Sequence, residues 1–564
     1  MKYRILLTAA LLAASCSPVP RHLTILATDD VHGAWFDSTY VGEGTRNSLM
    51  AVNYYVDSIR RADGAKNVLL LDAGDCLQGD NAAYYYNYVD TVSEHLFCRL
   101  AAYMGYDAIT MGNHDVETGP AVYRRVERDL AAHGIPFLAG NAVGDSTGMP
   151  VFGVHKVFRK GGMKVLVLGY NNPNISAWLG KELWPDMRFL NLIPLVQKDV
   201  DALRDAVKPD VTVVCVHSGT GSGDGRVLED QALDLLGSLR GVDFILNGHD
   251  HRQITYCRDS IALINTGSRA SYLGVGKVVI SPERVKTLEA SLIKVDKDKA
   301  DPAMREAFRA DFEAVKAFSN KEIGMLSGDI HTREAFKGEC PYISLLQRVQ
   351  MEASGAQISF AAPLKMNARI PAGMLSFNDL FTIYPFENQL FVMRMTGKEI
   401  KDYLEYSYDT WLAAPGSGHA LAIRRRDDPR YAKQGWSFIN ASYNFDAAAG
   451  LVYTVDLRKS KGSRIVIKSL AGGEPFRTDA TYSVAMTSYR ANGGGALLTL
   501  GAGIPKEELD GRIISRHREI RDYIKDFIER EKVLNPDNFH TPSLGEWHFI
   551  PDGKAVEKDM RLLF

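Results

Sequence analysis

After its first fourteen residues the chain has no apolar run long enough to cross a bilayer as a helix. It lacks a surplus of either charge: 66 basic against 68 acidic residues leave a net −2, which excludes the broad basic footprint of a duplex nucleic-acid binder. There is no CxxC pair, and apart from Cys16 the cysteines are five: Cys76, Cys98, Cys215, Cys257 and Cys340. An odd, scattered set excludes a disulfide scaffold, and Cys215 within an apolar run reads as a small buried side chain. Internal repeats, low-complexity tracts and a glycine-rich linker are also missing. What remains is a 564-residue chain with 46% hydrophobic content, enough for more than one buried core.

The N-terminus reads as an export segment. Lys2 and Arg4 precede an apolar stretch from Ile5 to Ala14, followed by Ser15-Cys16-Ser17-Pro18. A charged start, a short apolar core and small residues before a break form a secretory signal. Small residues directly before Cys16 resemble the bacterial lipoprotein processing site, with Ala13 where leucine is usual. The expectation is an exported bacterial protein, lipid-anchored through Cys16 in the periplasm or at the cell surface, touching membrane through that anchor only.

From His22 to about Gly267, short β-branched-rich runs alternate with helix-like stretches. The runs are Leu23–Ala27, Val68–Leu71, Ala108–Met111, Val165–Leu168, Val211–Val216, Phe244–Leu246 and Ile261–Ile264. Apolar strands separated by helices indicate an α/β or layered-sheet domain, in which ligands collect where strands give way to loops. Met304, Phe308, Phe312 and Val315 share one face of a helix over 303–318, read as a connector. A second region follows, with a helix after Pro341, a strand-rich middle and a helix over about 516–532. The expected divisions are 1–20 (signal and tether), 21–300, a connector 301–325, and 326–564.

Five short segments closely follow strand-like runs: Thr28-Asp29-Asp30-Val31-His32-Gly33, Gly74-Asp75, Gly112-Asn113-His114-Asp115, His217-Ser218-Gly219 and Gly248-His249-Asp250-His251. Each delivers a carboxylate, an amide oxygen or an imidazole to a loop, and these are the ligands of Zn, Mn or Fe. Five of the 14 histidines fall within them. A single Gly-Asp pair is an ordinary turn; five such segments at strand ends are a metal constellation.

This order resembles the calcineurin-like metallophosphoesterase superfamily, and Leu71-Asp72-Ala73-Gly74-Asp75 with Gln78-Gly79 narrows the likeness to its 5′-nucleotidase family, including the bifunctional 2′,3′-cyclic phosphodiesterase type. The resemblance implies an N-terminal layered β-sandwich flanked by helices and a smaller α+β C-terminal domain. It implies two divalent cations, one on Asp30, His32, Asp75 and His251, the other on Asp75, Asn113, His217 and His249. A shared Asp75 would set them about 3.5–4 Å apart, where a bridging water becomes hydroxide and attacks phosphorus. His114 would stabilise the transition state or protonate the leaving oxygen, oriented by Glu117 or Asp115. Two positions depart from the family pattern: Asp29 replaces an asparagine, and Glu117 an aspartate.

The second region resembles the C-terminal 5′-nucleotidase domain at Ile383-Tyr384-Pro385-Phe386-Glu387-Asn388, at Thr396-Gly397-Lys398-Glu399-Ile400 and at Ser488-Tyr489-Arg490-Ala491-Asn492-Gly493-Gly494-Gly495. By position, Phe445 and Tyr489 would sandwich a base. The family arginine becomes Asn367, leaving Lys365 or Arg369 to supply charge, and Gly495 stands where an aspartate holds ribose hydroxyls. The expected function is hydrolysis of nucleotide phosphoesters outside the cytoplasm, on 5′-, 3′- or 2′,3′-cyclic nucleotides, with a small-molecule nucleotide as partner and no nucleic-acid polymer. The alternatives are the same chemistry on a non-nucleotide or nucleotide-sugar ester, and a non-catalytic nucleotide-binding surface lipoprotein.

Overall fold

The computed structural model describes residues 19–258, 260–426 and 435–564. The signal segment and Cys16 lie outside the described residues. All seven expected runs are strands, and they divide between two six-stranded sheets. In the first, the order is 286–294, 272–280, 21–28, 68–72, 108–110, 137–138; in the second it is 253–258, 261–266, 244–247, 211–216, 163–170, 155–160.

Strand alternation decides how the sheets stack. Leu23, Ile25 and Ala27 face inward and meet Val165, Val167, Val213 and Phe244 of the opposite sheet in one dry core. On the outer faces, Leu26 and Leu70 pack under the helices 49–63 and 96–104, while Leu166, Leu168 and Val214 pack under the helix 192–207. The result is a helix–sheet–sheet–helix sandwich. The central strands 21–28, 68–72 and 108–110 run parallel, as do 163–170, 211–216 and 244–247, so the loops leaving them collect at one end.

The connector differs from the sequence reading. It is two helices, Pro302–Ala307 and Arg309–Ser319, broken at Phe308, whose φ of −111° and ψ of 17° leave the helical region. Met304, Phe308 and Val315 nevertheless bury against the first domain, as their spacing requires.

In the second region a five-stranded sheet, in the order 447–449, 358–361, 481–487, 389–396, 513–519, carries the helices Pro341–Ser354, Gly397–Trp411 and Ile520–Glu531. The helix expected from 516 starts only at Ile520, because Ile513–Glu519 pairs with 389–396 as an edge strand. Its alternating polar residues suit a strand exposed on one side. The fold is therefore mixed α/β, with an N-terminal β-sandwich flanked by helices and a smaller α+β C-terminal part. The two parts meet where the metal-type loops emerge. Asn81 Nδ2 donates to Asn378 Oδ1 at 2.8 Å and Tyr84 Oη to Asp522 Oδ1 at 3.2 Å.

Candidate metal centre and cleft

The loops after the parallel strands bring all seven expected ligands together. His32 Nε2 and His251 Nε2 lie 2.9 Å apart, and Asp30 Oδ1 lies 3.7 and 3.6 Å from them. Beside this group, His217 Nε2 is 3.0 Å from Asp75 Oδ2 and 3.1 Å from Asn113 Oδ1, while His249 Nδ1 is 2.9 Å from Asn113 Oδ1. His217 Nε2 is 4.0 Å from Asp30 Oδ1, so the two groups adjoin.

The donor set fits divalent cations on three observations. Asp30 Oδ1 is fully buried with no hydrogen-bond partner, which is costly unless something positive meets it. Burial pulls His32 down to about 3 and His249 to about 4, so both imidazoles are neutral, the form that offers a lone pair. Outer partners fix ring orientation: His217 Nδ1–H donates to the Ala73 carbonyl at 2.9 Å, freeing Nε2 to face the cluster.

The backbone is strained at this place. Asp30, His32, Asp75, His249 and His251 all hold positive φ, between 46° and 80°. Non-glycine residues rarely do so, and clustering at one site marks function. Hydrogen bonds over-determine the strain. Asp30 N–H donates to the Gly74 carbonyl, His32 N–H to the Asp75 carbonyl, and His249 N–H to Asp30 Oδ2. The glycines before Asn113 and His249 are required sterically. A Cβ on Gly112 would sit 2.1 Å from Asp75 Oδ1, and one on Gly248 would sit 2.6 Å from Asp30 Oδ2.

The structure separates the two carboxylates near His114. Glu117 Oε2 accepts from His114 Nδ1 at 2.6 Å. Burial opposes ionisation of this imidazole, but the Asp75 and Glu117 carboxylates outweigh it and hold it up at about 10. Asp115, also expected as a catalytic group, has a different task. It is fully buried and accepts from the N–H groups of Gly112, Asp75, Cys76 and Leu77 at 2.8 to 3.0 Å, so it shapes the Asp75 loop. Asp29 is explained as well. Burial and the neighbouring Asp30 push its carboxyl well above the usual carboxylate range, a direction that favours the neutral form an asparagine would present.

Opposite these loops a cleft of about 480 Å³ opens between the domains. His32, His114, Glu117, His251 and Arg269 line one wall; Phe360, Phe386, Glu387, Tyr443, Tyr489 and Arg490 line the other. Tyr489 is there as expected, 40% exposed. Phe445 is not. It is completely buried, stacked on Trp411 at 5.7 Å with the rings 1° from parallel, and belongs to the domain core. Tyr443, two residues earlier, faces the cleft instead. A turn of 3₁₀ helix over Ser442–Asn444 sends these neighbours to different sides. Asn367 is exposed and does not line the cleft, and Arg369 turns away to pair with Asp329 at 2.7 Å. Lys365 is half-buried, next to the cleft-lining Leu364.

Sequence reading missed Tyr443, Arg269 and Asp446 as site residues. For Tyr443 the only signal was its place in the Ser442-Tyr443-Asn444-Phe445 run. Arg269 follows the inner strand 261–266, as each metal-type loop follows its strand, and could have been found by that rule.

Two family models match this architecture: one described as calcineurin-like phosphoesterase over residues 23–253, the other as 5′-nucleotidase, C-terminal domain over 317–501. With the metal-type cluster in the first part and the cleft against the second, the chain belongs to the 5′-nucleotidase family of metallophosphoesterases and is a phosphoric ester hydrolase. It is 23% identical to the 2′,3′-cyclic-nucleotide 2′-phosphodiesterase/3′-nucleotidase of Salmonella typhimurium, over 88% of this chain and 85% of that one. It is also 23% identical to the trifunctional nucleotide phosphoesterase protein YfkN of Bacillus subtilis, over 91% of this chain, which spans only 38% of that protein. A Staphylococcus aureus structure solved with α-ketoglutarate, and provisionally assigned as a 5′-nucleotidase, superposes with a TM-score of 0.76 at 20% identity. It covers 94% of this chain and 99% of its own, a likeness of fold.

Proposed function

We propose that the chain hydrolyses nucleotide phosphoesters outside the cytoplasm, taking 5′-, 3′- or 2′,3′-cyclic nucleotides. One observation carries this reading: His32 and His251 of the ligand cluster, with His114, line the same cleft as the exposed rings of Phe386, Tyr443 and Tyr489. A phosphate and a planar base thus each have side chains to meet in one cleft. The export reading rests on the N-terminal segment of the sequence, and no described helix is long and apolar enough to cross a membrane.

Asp30, His32, Asp75 and His251 would hold one divalent cation, and Asp75, Asn113, His217 and His249 the other. When bound, the pair supplies neutralisation of phosphoryl charge and activation of water. His114 keeps its Nδ1 proton on Glu117, which leaves Nε2 to stabilise or protonate the departing oxygen. Asp115 and the Gly112 turn hold Asp75 in register. On the opposite wall the aromatic rings position the base, and Arg490 is unavailable for phosphate because Asp446 takes it in two hydrogen bonds of 2.9 and 3.0 Å.

Gly495 supports a substrate without a free ribose diol. A Cβ there would meet Arg490 Nη1 at 2.4 Å and Asn444 Oδ1 at 2.5 Å at a φ of 71°, so an aspartate would strain the backbone and displace both side chains. The test is a phosphate-release screen over 5′-, 3′- and 2′,3′-cyclic nucleotides with Zn, Mn or Fe added. Turnover of an aryl phosphate with no turnover of any nucleotide overturns the nucleotide reading.

A further inference from the structure

Two loops of the second domain share the guanidinium of Arg490. The residue is buried, and all five of its N–H groups are engaged. Nε and Nη2 donate to the two oxygens of Asp446 at 3.0 and 2.9 Å. Nη2 also donates to the Tyr443 carbonyl at 2.9 Å, and Nη1 to Asn444 Oδ1 at 3.0 Å and the Gly494 carbonyl at 2.7 Å. A buried ion pair needs only the first two. The other three bonds go to neutral oxygens, and they divide between the segment 443–446 and the segment 489–494.

Each segment presents one exposed tyrosine to the cleft. Tyr489 stands beside Arg490 in the short helix Ser488–Ala491. Its ring centroid lies 5.3 Å from Arg490 Cζ, and a Cβ on Gly494 would fall 2.4 Å from Tyr489 Cε2. The ring therefore rests on the glycine whose carbonyl Arg490 holds. Tyr443 is held by its neighbours: Phe445 is sunk in the core, while Arg490 binds the Tyr443 carbonyl and the Asn444 amide oxygen. Asp446 is anchored in turn. The Tyr403 hydroxyl donates to its Oδ2, and Ser407 Oγ donates to its backbone carbonyl at 2.8 Å. The ring of Tyr403 stacks at 4.2 Å, 9° from parallel, on Phe360, a third aromatic residue lining the cleft.

We propose that Arg490 is the positioning residue for ring recognition. Anchored by Asp446, it fixes the spacing of Tyr443 and Tyr489 and so sets the affinity for the planar part of a substrate, with no donor left for the substrate itself. The role rests on the reading that these rings hold a base and deepens it by naming what holds the rings. Only a planar fork reaches all these oxygens at once; a lysine has three donors on one atom.

The test uses the metal-loaded full chain and two variants: Arg490→Lys, and Arg490→Met combined with Asp446→Asn, which removes the charge pair without leaving a buried carboxylate unpaired. KM is measured on para-nitrophenyl phosphate, which carries a planar ring, and on glycerol phosphate, which does not. The ratio of the two should rise by about 5- to 150-fold in the double variant, the range for losing a stacked ring, and by less in Arg490→Lys. In a chain that already carries Tyr443→Ala and Tyr489→Ala, the same changes should leave the ratio where it stands, because the rings they position are gone. A merely structural Arg490 would move both KM values in step. An unmoved ratio overturns the proposal, as does a ratio that still shifts after both rings are removed. If the double variant does not fold, Arg490→Lys, which keeps a charge against Asp446, decides alone. Nucleotide turnover with an unmoved ratio removes the positioning role and leaves the nucleotide reading; a moved ratio without nucleotide turnover does the reverse.

Discussion

Trp178 lies flat against the imidazole of His249, with ring centroids 5.1 Å apart and planes 24° from parallel. Its backbone carbonyl accepts from Asn492 of the second domain. One residue therefore braces a ligand of the second cation group and touches the opposite domain. Side chains that fix ligand orientation are worth about 10- to 100-fold in metal affinity or activity. Trp178→Ala should weaken one of two metals by about that factor. Metal titration followed by inductively coupled plasma analysis checks it. Two metals retained at wild-type affinity would show that the stacking does not hold His249.

His114, Asp115 and Glu117 of the Gly112–Glu117 turn should separate in their variants. His114→Ala should lower kcat by roughly 10²–10⁴-fold with both metals retained, as for a general acid. Glu117→Gln should have a smaller effect, about 10- to 100-fold, by losing one charge-assisted hydrogen bond. Asp115→Ala leaves three N–H groups of the Asp75 loop and that of Gly112 without their acceptor and should cost metal and stability together. Kinetics, metal content and thermal denaturation on one set of preparations check all three. Metal loss in His114→Ala would make that residue a ligand.

The aromatic residues should divide by location. Tyr443→Ala and Tyr489→Ala should each raise KM for a nucleotide by roughly 5- to 150-fold, the range for loss of one base-stacking contact, and leave KM for glycerol phosphate unchanged. Phe445→Ala should instead destabilise the second domain by about 3–5 kcal/mol by opening a cavity beside Trp411. Chemical denaturation with parallel kinetics distinguishes them. A stable Phe445→Ala enzyme with a raised nucleotide KM would return that residue to the substrate site.

Gly495→Asp would restore the family aspartate in name only. Gly495 has φ of 71°, and its Cβ would collide with Arg490 and Asn444. The variant should lose stability and show no improved kcat/KM for a 5′-monophosphate. A gain in kcat/KM would show that the glycine alone sets the preference.

The sequence by itself located seven of the twelve strands in the two sandwich sheets and the loops that carry the metal-type side chains. Both are local facts: an apolar β-branched run forms a buried strand wherever it lies, and a ligand loop directly follows its strand. When parallel strands assemble, loops such as Asp30–His32 and Gly248–His251 must gather at one end. Tertiary structure alone decided the substrate wall. Tyr443 and Phe445 differ by two positions and are chemically alike, yet one faces the cleft and the other packs on Trp411. Arg369 had the charge to replace the lost arginine but found Asp329 first, whereas Arg269, far away in the chain, reached the cleft through the sheet that carries it. Which side chain faces a ligand depends on how two domains meet, and that depends on contacts between residues hundreds of positions apart.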